Sequence, residues 1–150
     1  MRTILAIIDA AGGMDALAAK AIRIDPPGPG LMRLCIEAIG TGPNGFPLVS
    51  VAHNYEKTGD LVADPEMTFE VASGLKSAAE FFPVTFEMPG MGVYRQSTWR
   101  DDAGKVWVNP RERRDQASFA RTWDRNIRAQ GFLAAFRAAR KVGMDRPGAG

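Results

Sequence analysis

The sequence predicts an α+β fold, in which an antiparallel β-sheet of about five to seven strands is packed against helices from both ends of the chain. Three observations support this prediction. Apolar residues recur at helical spacing near both ends, they alternate with polar residues over 21–108, and the breaks within that middle stretch are short. Short connections between strands favour antiparallel pairing, because parallel strands need long crossovers. A chain of 150 residues is long enough to bury a core as a single domain.

The first 20 residues predict a helical lead-in. Ile4, Ile7, Ile8 and Ala11 recur at the spacing of one helix face, and Gly12-Gly13 supplies the residues that commonly end a helix. The alanine-rich segment 14–19 that follows predicts a second, shorter helix.

Residues 21–108 predict the sheet, because strand-like segments alternate there with glycine and proline breakers. Alternation places Leu34 and Ile36 together on one face of a predicted strand. In the next predicted strand, one face carries Val49, Val51 and His53. Segments 93–99 and 105–108 predict a hairpin across the loop 101–104, whereas 73–80 is compatible with a loop or one helical turn. The predicted strands are 21–24, 31–39, 46–55, 67–71, 81–88, 93–99 and 105–108.

The C-terminal part, residues 109–143, predicts a long helix with a break. Asn109-Pro110 reads as an N-cap followed by proline at the first helical position. Phe119, Trp123 and Ile127 form a stripe that would pack on the sheet. Gly131 interrupts this pattern, so we expect a kink or a second short helix ending near Gly143, and a flexible tail over 144–150.

The formal net charge of +2 conceals an uneven distribution of charge. Residues 1–94 carry six Lys and Arg against 11 Asp and Glu, a balance of −5, and residues 95–150 carry 13 against six, a balance of +7. Such a division bears on steering and on the choice of partner, not on the fold.

Part of the positive charge is predicted to share one face of the C-terminal helix. Arg114, Arg121, Arg125 and Arg128 lie within roughly a 60° arc at 100° per residue, nearly opposite the apolar stripe. Guanidinium groups bind phosphates and carboxylates bidentately, so nucleic acid or an acidic protein surface would fit this face. The interleaved Asp115 and Asp124 favour the alternative of a solvated helix face.

Aromatic residues of the predicted hairpin provide a second candidate binding surface. Trp99 and Trp107, with Tyr94, could stack on nucleic-acid bases, and basic residues lie close to them in sequence. The alternative is that these rings cover the helix or complete the core. The neighbouring basic residues are Arg95, Arg100 and Lys105.

The chemistry of an enzyme has less support. His53, Asp60, Asp64 and Glu66 could ligate a divalent metal and form the centre of a metal-dependent hydrolase or nuclease. Their spacing matches no established motif, the carboxylates also suit turns, and His53 also fits a half-buried, hydrogen-bonded position. No nucleophile elbow or phosphate-binding loop accompanies the single cysteine, Cys35, so we expect neither catalysis by nucleophile nor a cofactor.

Two stretches of the chain resemble a known family. The segment 51–67, VAHNYEKTGDLVADPEM, and the segment 119–124, FARTWD, resemble an uncharacterised bacterial family that is classified as a domain of unknown function and is often encoded on plasmids, phages and other mobile elements. The resemblance covers most of the chain, from the Gly-Gly pair to Gln130-Gly131-Phe132. It implies an accessory protein of a mobile element and supplies no catalytic residue.

These observations lead us to expect a non-enzymatic interaction protein of a mobile genetic element. It would engage a nucleic acid or a nucleoprotein, and inhibition of a host-defence complex is one form of that role. The lone cysteine and the short apolar run 4–8 favour a cytoplasmic location without membrane insertion. The oligomeric state stays open, because the apolar residues after Gly131 would suit a subunit interface as well as a core.

Overall fold

A computed structural model of the protein describes residues 1–73 and 79–144. The four helices are α1 Arg2–Ala11, α2 Met14–Ala19, α3 Pro110–Ala129 and α4 Phe132–Met144. The eight strands are β1 Ile22–Ile24, β2 Arg33–Thr41, β3 Pro47–Lys57, β4 Asp60–Ala72, β5 Glu80–Met88, β6 Val93–Gln96, β7 Thr98–Arg100 and β8 Val106–Val108, with a 3-10 turn at Pro89–Met91.

The fold is α+β, as the sequence predicts. Strands β1 to β6 form a six-stranded antiparallel sheet in chain order, and β7 and β8 form a separate two-stranded hairpin. The predicted strand 93–99 is therefore divided at Ser97. The registered pairing of β6 with β5 ends at Gln96. Ser97 still contacts β5, because its main-chain N–H donates to the carbonyl of Val84 (2.8 Å) and its Oγ donates to the carbonyl of Pro83 (2.9 Å).

Strand β4 is longer than predicted, because it begins at Asp60 and not near Met67. The turn before it consists of Thr58 (φ 51°) and Gly59 (φ 86°), which join Lys57 to its partner Asp60. Positive φ at both central positions matches the right-handed twist of the strands on either side. The peptide bond Asp64-Pro65 is cis and lies at the register shift opposite Ala52 and Asn54, so these residues belong to a strand and not to the predicted turn.

One face of the sheet packs against the helices. Ile36, Val51 and Met67 are consecutive cross-strand partners, and all three are buried in the same apolar cluster as the helices. Each of the four helices contributes to this cluster, through Ile4, Ile7, Ile8, Leu17, Ala120, Trp123, Ile127, Phe132 and Leu133.

The helix boundaries follow the predicted signals. Gly12 adopts the left-handed conformation (φ 116°) that ends α1, and the Asn109 side chain accepts a hydrogen bond from the N–H of Glu112 (3.1 Å) at the start of α3. Gly131 (φ 90°) separates α3 from α4, so the predicted break is a true helix end.

Two packing predictions can be compared with the structure. Phe119 packs on the sheet only at its edge, where its ring lies against Phe86 (5.1 Å between ring centroids), and it remains 39% exposed. After Gly131, Phe132 and Leu133 lie in the core, whereas Val142 and Met144 are exposed, so the oligomeric state stays open. The predicted loop or turn at 73–80 and the predicted tail at 144–150 lie largely outside the described residues.

The opposite face of the sheet carries none of the described helices, and we call it the helix-free face. Across its strands run the partners Ser50, Thr68, Thr85 and Gln96, and beside them the partners Ala52, Glu66, Glu87 and Tyr94. In the part of the chain that the structure describes, no helix is both long and apolar enough to span a membrane.

Candidate binding surfaces

The arginine face of α3 consists of Arg114, Arg121, Arg125 and Arg128, and all four residues are exposed. The buried residues of the same helix lie on the other side, where Trp123 and Ile127 contact the sheet. From Arg114 to Arg128 the face extends about 21 Å along the helix axis at about 1.5 Å per residue. The fold therefore directs these side chains away from the sheet, as the helical spacing predicts.

The charges of this face are not neutralised by neighbouring carboxylates. Among the described residues, an ion pair within 4 Å is found between Arg33 and Asp25 (2.8 Å), and it does not involve α3. Two of the arginines make weak neutral contacts, Arg125 with the hydroxyl of Thr122 (3.4 Å) and Arg128 with the hydroxyl of Thr3 (3.3 Å). The face thus presents four guanidinium groups with most of their donors unused.

Asp124 does not belong to the solvated face, although its spacing suggests so. It is buried, and its carboxylate accepts hydrogen bonds from the main-chain N–H groups of Thr3 (3.1 and 3.0 Å) and Ile4 (3.2 Å). These N–H groups lie in the first turn of α1 and have no acceptor within the helix itself. The helix dipole also favours a negative charge at this end. Asp124 therefore ties α1 to α3 and leaves Asp115 as the exposed acid among the arginines.

The tryptophan hairpin, β7 and β8, holds its two indoles directly opposite each other. Trp99 and Trp107 are cross-strand partners, 37% and 43% exposed. Lys105 Nζ lies 4.1 Å from the centroid of the Trp107 ring, and Trp107 Nε1 donates to Asp101 (2.7 Å). One face of Trp107 is therefore already occupied by a cation.

Asp101 organises the loop of this hairpin. Besides the indole of Trp107, its carboxylate accepts from the main-chain N–H groups of Ala103 (3.0 Å) and Lys105 (2.9 Å). These hydrogen bonds, that of Trp107 above all, hold the pKa of Asp101 below its usual value. Asp101 thus stabilises the hairpin loop that the sequence predicts at 101–104.

Of the remaining predicted binding residues, Arg100 lies in the tryptophan hairpin, whereas Arg95 and Tyr94 lie on β6. Arg100 donates from Nε (3.0 Å) and Nη2 (2.6 Å) to the carbonyl of Pro43, and from Nη1 to that of Gly104 (3.3 Å), so it holds loops together. Arg95 lies on β6 beside Glu112 and Asp115 of α3, and its carbonyl accepts from Gln116 (3.3 Å). Tyr94 points to the helix-free face and is 60% exposed.

The four residues of the candidate metal site are not all brought together, although Asp64 lies near enough to His53 for its charge to act on the imidazole. His53 points into the helix-covered face, Glu66 lies on the helix-free face with Oε1 accepting from Ser50 Oγ (2.6 Å), and Asp60 is exposed at the β3–β4 turn. Within residues 1–73 and 79–144, no three His, Cys, Asp or Glu side chains are placed to hold one metal ion. Cys35 pairs with Ala52 and so lies on the sheet face opposite to His53.

His53 is more deeply buried than predicted, at 7% exposure, because Trp123 (5.6 Å) and Phe132 (5.4 Å) close over its ring. Its Nδ1 has no hydrogen-bond partner among the described residues. Burial lowers the pKa of His53, while the main-chain groups of Arg33 and Met32 and the charge of Asp64 oppose this shift. Burial therefore favours the neutral form of the imidazole.

A groove on the helix-free face was not apparent from the sequence. It has a volume of about 640 Å³ and lies between the β2–β3 loop and strand β6, over a floor that includes Leu48, Thr68 and Thr85. The loop residues are Thr41, Gly42, Pro43 and Gly45, and the far side is formed by Tyr94, Gln96 and Arg100. The alternation of residue types in β3 and β4 indicates which side chains share a face of the sheet. It does not show which strands and loops come together to form the groove, because that depends on tertiary pairing.

The comparison with known families gives one match. The family model of the domain of unknown function DUF6908 matches residues 2–133. The chain belongs to this family. The matched residues run from the start of α1 to the first two residues of α4, and they confirm the predicted resemblance to a domain of unknown function over most of the chain. No curated protein and no solved structure matches the chain significantly. The family is defined without an activity, so function must be argued from the surfaces described above.

Proposed function

We propose that this member of the DUF6908 family is a non-enzymatic binding protein that engages a nucleic acid or a nucleoprotein through the arginine face of α3. The observation that carries the proposal is the set of exposed guanidinium groups without a carboxylate within 4 Å among the described residues. Keeping four such charges on one helix face favours a polyanionic partner, whose phosphates accept bidentate hydrogen bonds.

The setting of the helix supports a rigid platform. Trp123 and Ile127 anchor α3 in the core, and Asp124 joins it to α1. The arginines therefore project from a fixed backbone, which lowers the conformational entropy that binding would cost. Phosphate contacts of this kind fix position without reading base sequence, so we expect binding with little sequence preference.

The finer part of the proposal concerns setting. The resemblance to a family often encoded on mobile elements leads us to propose a cytoplasmic accessory protein of such an element, acting on a host-defence complex as an inhibitor. Affinity purification from the native host, with nuclease-treated and untreated samples in parallel, tests this part. A partner retained after nuclease treatment supports a protein complex, and loss of all partners supports nucleic-acid tethering.

The test of the arginine face is a salt series with a fluorescein-labelled 20-base-pair duplex. The triple variant R114Q/R121Q/R125Q should bind the duplex at least tenfold more weakly than the wild type. The slope of log K against log salt concentration should be shallower by roughly 2 to 3, because each lost phosphate contact reduces it by about 0.9. Arg128 is left in place because it contacts Thr3.

The matched control is K20Q/R23Q/K57Q, which removes the same charge from exposed positions elsewhere. It should retain wild-type affinity within about twofold if the face itself is the site. Equal weakening by both triple variants would mean that only net charge matters, and would contradict the proposal.

The runner-up is a metal-dependent hydrolase or nuclease centred on His53, Asp60, Asp64 and Glu66. It gains no support from the described residues, because His53 and Glu66 lie on opposite faces of the sheet and no three ligand side chains there are placed to hold one metal ion. Hydrolysis of the duplex that requires a divalent ion and is lost in His53→Ala would favour it over the binding protein.

A further inference from the structure

The sheet groove on the helix-free face is an open concavity rather than an enclosed cavity. Its volume, about 640 Å³, falls in the range of about 300–1,000 Å³ that is usual for ligand sites. It is distinct from the arginine face, because α3 packs against the other side of the sheet.

Buried interactions hold the loop wall of the groove in place. Glu70 is 1% exposed, and its carboxylate accepts from the main-chain N–H groups of Asn44 (3.0 Å) and Phe46 (3.3 Å) and from Asn44 Nδ2 (3.0 Å). Gly42 packs so closely on Glu70 that an added Cβ would overlap the Glu70 side chain. Arg100 clamps the same loop from the other side through the carbonyl of Pro43.

The charges within the groove wall are thereby already used. The carboxylate of Glu70 and much of the guanidinium of Arg100 are committed to the loop, and the floor presents the hydroxyls of Thr68 and Thr85, which lie 2.6 Å apart. The neighbouring row of the sheet, beside the groove, consists of the consecutive cross-strand partners Glu66, Glu87 and Tyr94. In the described part of the chain, its two carboxylates are not bonded to the loop.

This row combines two features that favour a cation. Glu66 and Glu87 face each other directly, an arrangement that destabilises a sheet, and no cation lies within 4 Å of either in the described residues. Both are partly buried, and one oxygen of Glu66 is hydrogen-bonded to Ser50. The exposed ring of Tyr94, next to Glu87, offers a face to which ammonium and guanidinium groups are attracted.

We propose that the helix-free face binds an arginine- or lysine-bearing segment of a partner polypeptide, with the segment's main chain in the sheet groove and its cationic tip in the row of the sheet beside the groove. The cationic tip lies between Glu66, Glu87 and Tyr94, and the polar main chain of the segment lies over Thr68, Thr85 and Gln96. Charge complementarity selects this occupant: two uncompensated carboxylates repel the phosphates of nucleic acid and attract a basic side chain. Proteins accept such local destabilisation mainly at functional sites.

The experiment uses fluorescence anisotropy of the full-length protein with a labelled eight-residue peptide that carries two arginines among glycines and serines. A peptide of the same length with glutamates in place of the arginines is the probe control. The variant E66Q/E87Q removes both charges and keeps size, and D9N/D15N removes two exposed charges from α1 and α2. We expect at least tenfold weaker binding of the arginine peptide to E66Q/E87Q, and a change of at most twofold for D9N/D15N.

Equal binding of the arginine peptide to wild type and E66Q/E87Q would overturn the proposal, as would equal weakening by D9N/D15N. Sedimentation measures self-association of the wild-type protein. If the wild type self-associates and both E66Q/E87Q and R114Q/R121Q/R125Q do not, a second copy of the chain occupies the groove, and the proposal of a separate partner is overturned. Thermal denaturation of E66Q/E87Q provides the folding control, because removal of a like-charge pair should leave its midpoint equal or higher. Since duplex binding uses other residues, E66Q/E87Q should retain it, and the two proposals can fail separately.

Discussion

At the scale of single residues, two acidic side chains hold distant parts of the chain together. Glu70 organises the β2–β3 loop, and Asp124 satisfies the first turn of α1 more than 100 positions earlier in the sequence. Both accept hydrogen bonds from main-chain N–H groups, which a carboxylate does more strongly than a neutral acceptor. In the sequence they resemble ordinary surface acids, because their partners are brought close only by folding.

His53 is the residue whose environment makes stability depend on pH. Its pKa in the folded protein lies below the value of about 6.5 that it has when unfolded, because burial against Trp123 and Phe132 disfavours the charged form. Between those two pKa values the unfolded state binds more protons. The stabilising contribution is therefore complete above pH 6.5 and is lost as the pH falls through the folded pKa.

We expect the free energy of unfolding to fall by up to about 1.4 kcal/mol per pH unit below pH 6.5 from this group. Urea denaturation of the wild type and of His53→Phe between pH 7.5 and 5 measures the effect. Phenylalanine keeps an aromatic ring in the cluster and removes the titration, so the variant should show a flatter profile. Parallel profiles for the two proteins would show that His53 is not responsible.

At the scale of elements, the helices follow local sequence signals, and β4 does not. The caps at Asn109, Gly12 and Gly131 are chosen by short-range chemistry, which explains why these boundaries could be predicted. The first half of β4 contains Asp60, Asp64 and Pro65, residues that disfavour strands, and it is extended because β3 pairs with it across the Thr58-Gly59 turn. Tertiary pairing here overrides local preference.

The two glycines near the C-terminal helices provide a matched test of the α3–α4 break. Gly131 has φ 90°, whereas Gly143 lies inside α4 with open space where a Cβ would be. Gly131→Ala should destabilise the protein by about 1–2 kcal/mol, because an L-residue is strained in that conformation. Gly143→Ala should be neutral or stabilising by up to about 1 kcal/mol, as alanine is the better helix former.

Thermal denaturation followed by circular dichroism measures both variants. A Gly131→Ala variant as stable as the wild type would show that α3 and α4 can join into one continuous helix, and would contradict the described break.

At the scale of the whole molecule, two charged surfaces lie on different sides of the sheet. The arginine face lies on the helix side, and Glu37, Glu66 and Glu87 lie on the helix-free face. Because the helices pack through their apolar stripes, the two charged surfaces face outward in different directions and do not neutralise each other. The proposed nucleic-acid and polypeptide partners therefore occupy separate surfaces.

Hydrogen exchange should reveal a corresponding hierarchy of stability. Strands β3 and β4 are paired on both sides and cover the core, whereas β7 and β8 form a hairpin with exposed tryptophans. We expect amides of Val51 and Phe69 to exchange at least 100-fold more slowly than those of the hairpin, since the former require global unfolding. Equal protection in both regions would show that the hairpin unfolds together with the sheet.

The sequence by itself determined the α+β class, the helix limits, the inward residues of most strands and the arginine face, because each depends on periodicity or capping within a few residues. Only the tertiary structure decided that Asp124 and Glu70 are buried anchors, that His53 is separated from Glu66, and that Glu66 and Glu87 face each other beside a groove. The physical reason is that strand register and helix docking bring together residues far apart in the chain, and local pattern carries no record of those pairings.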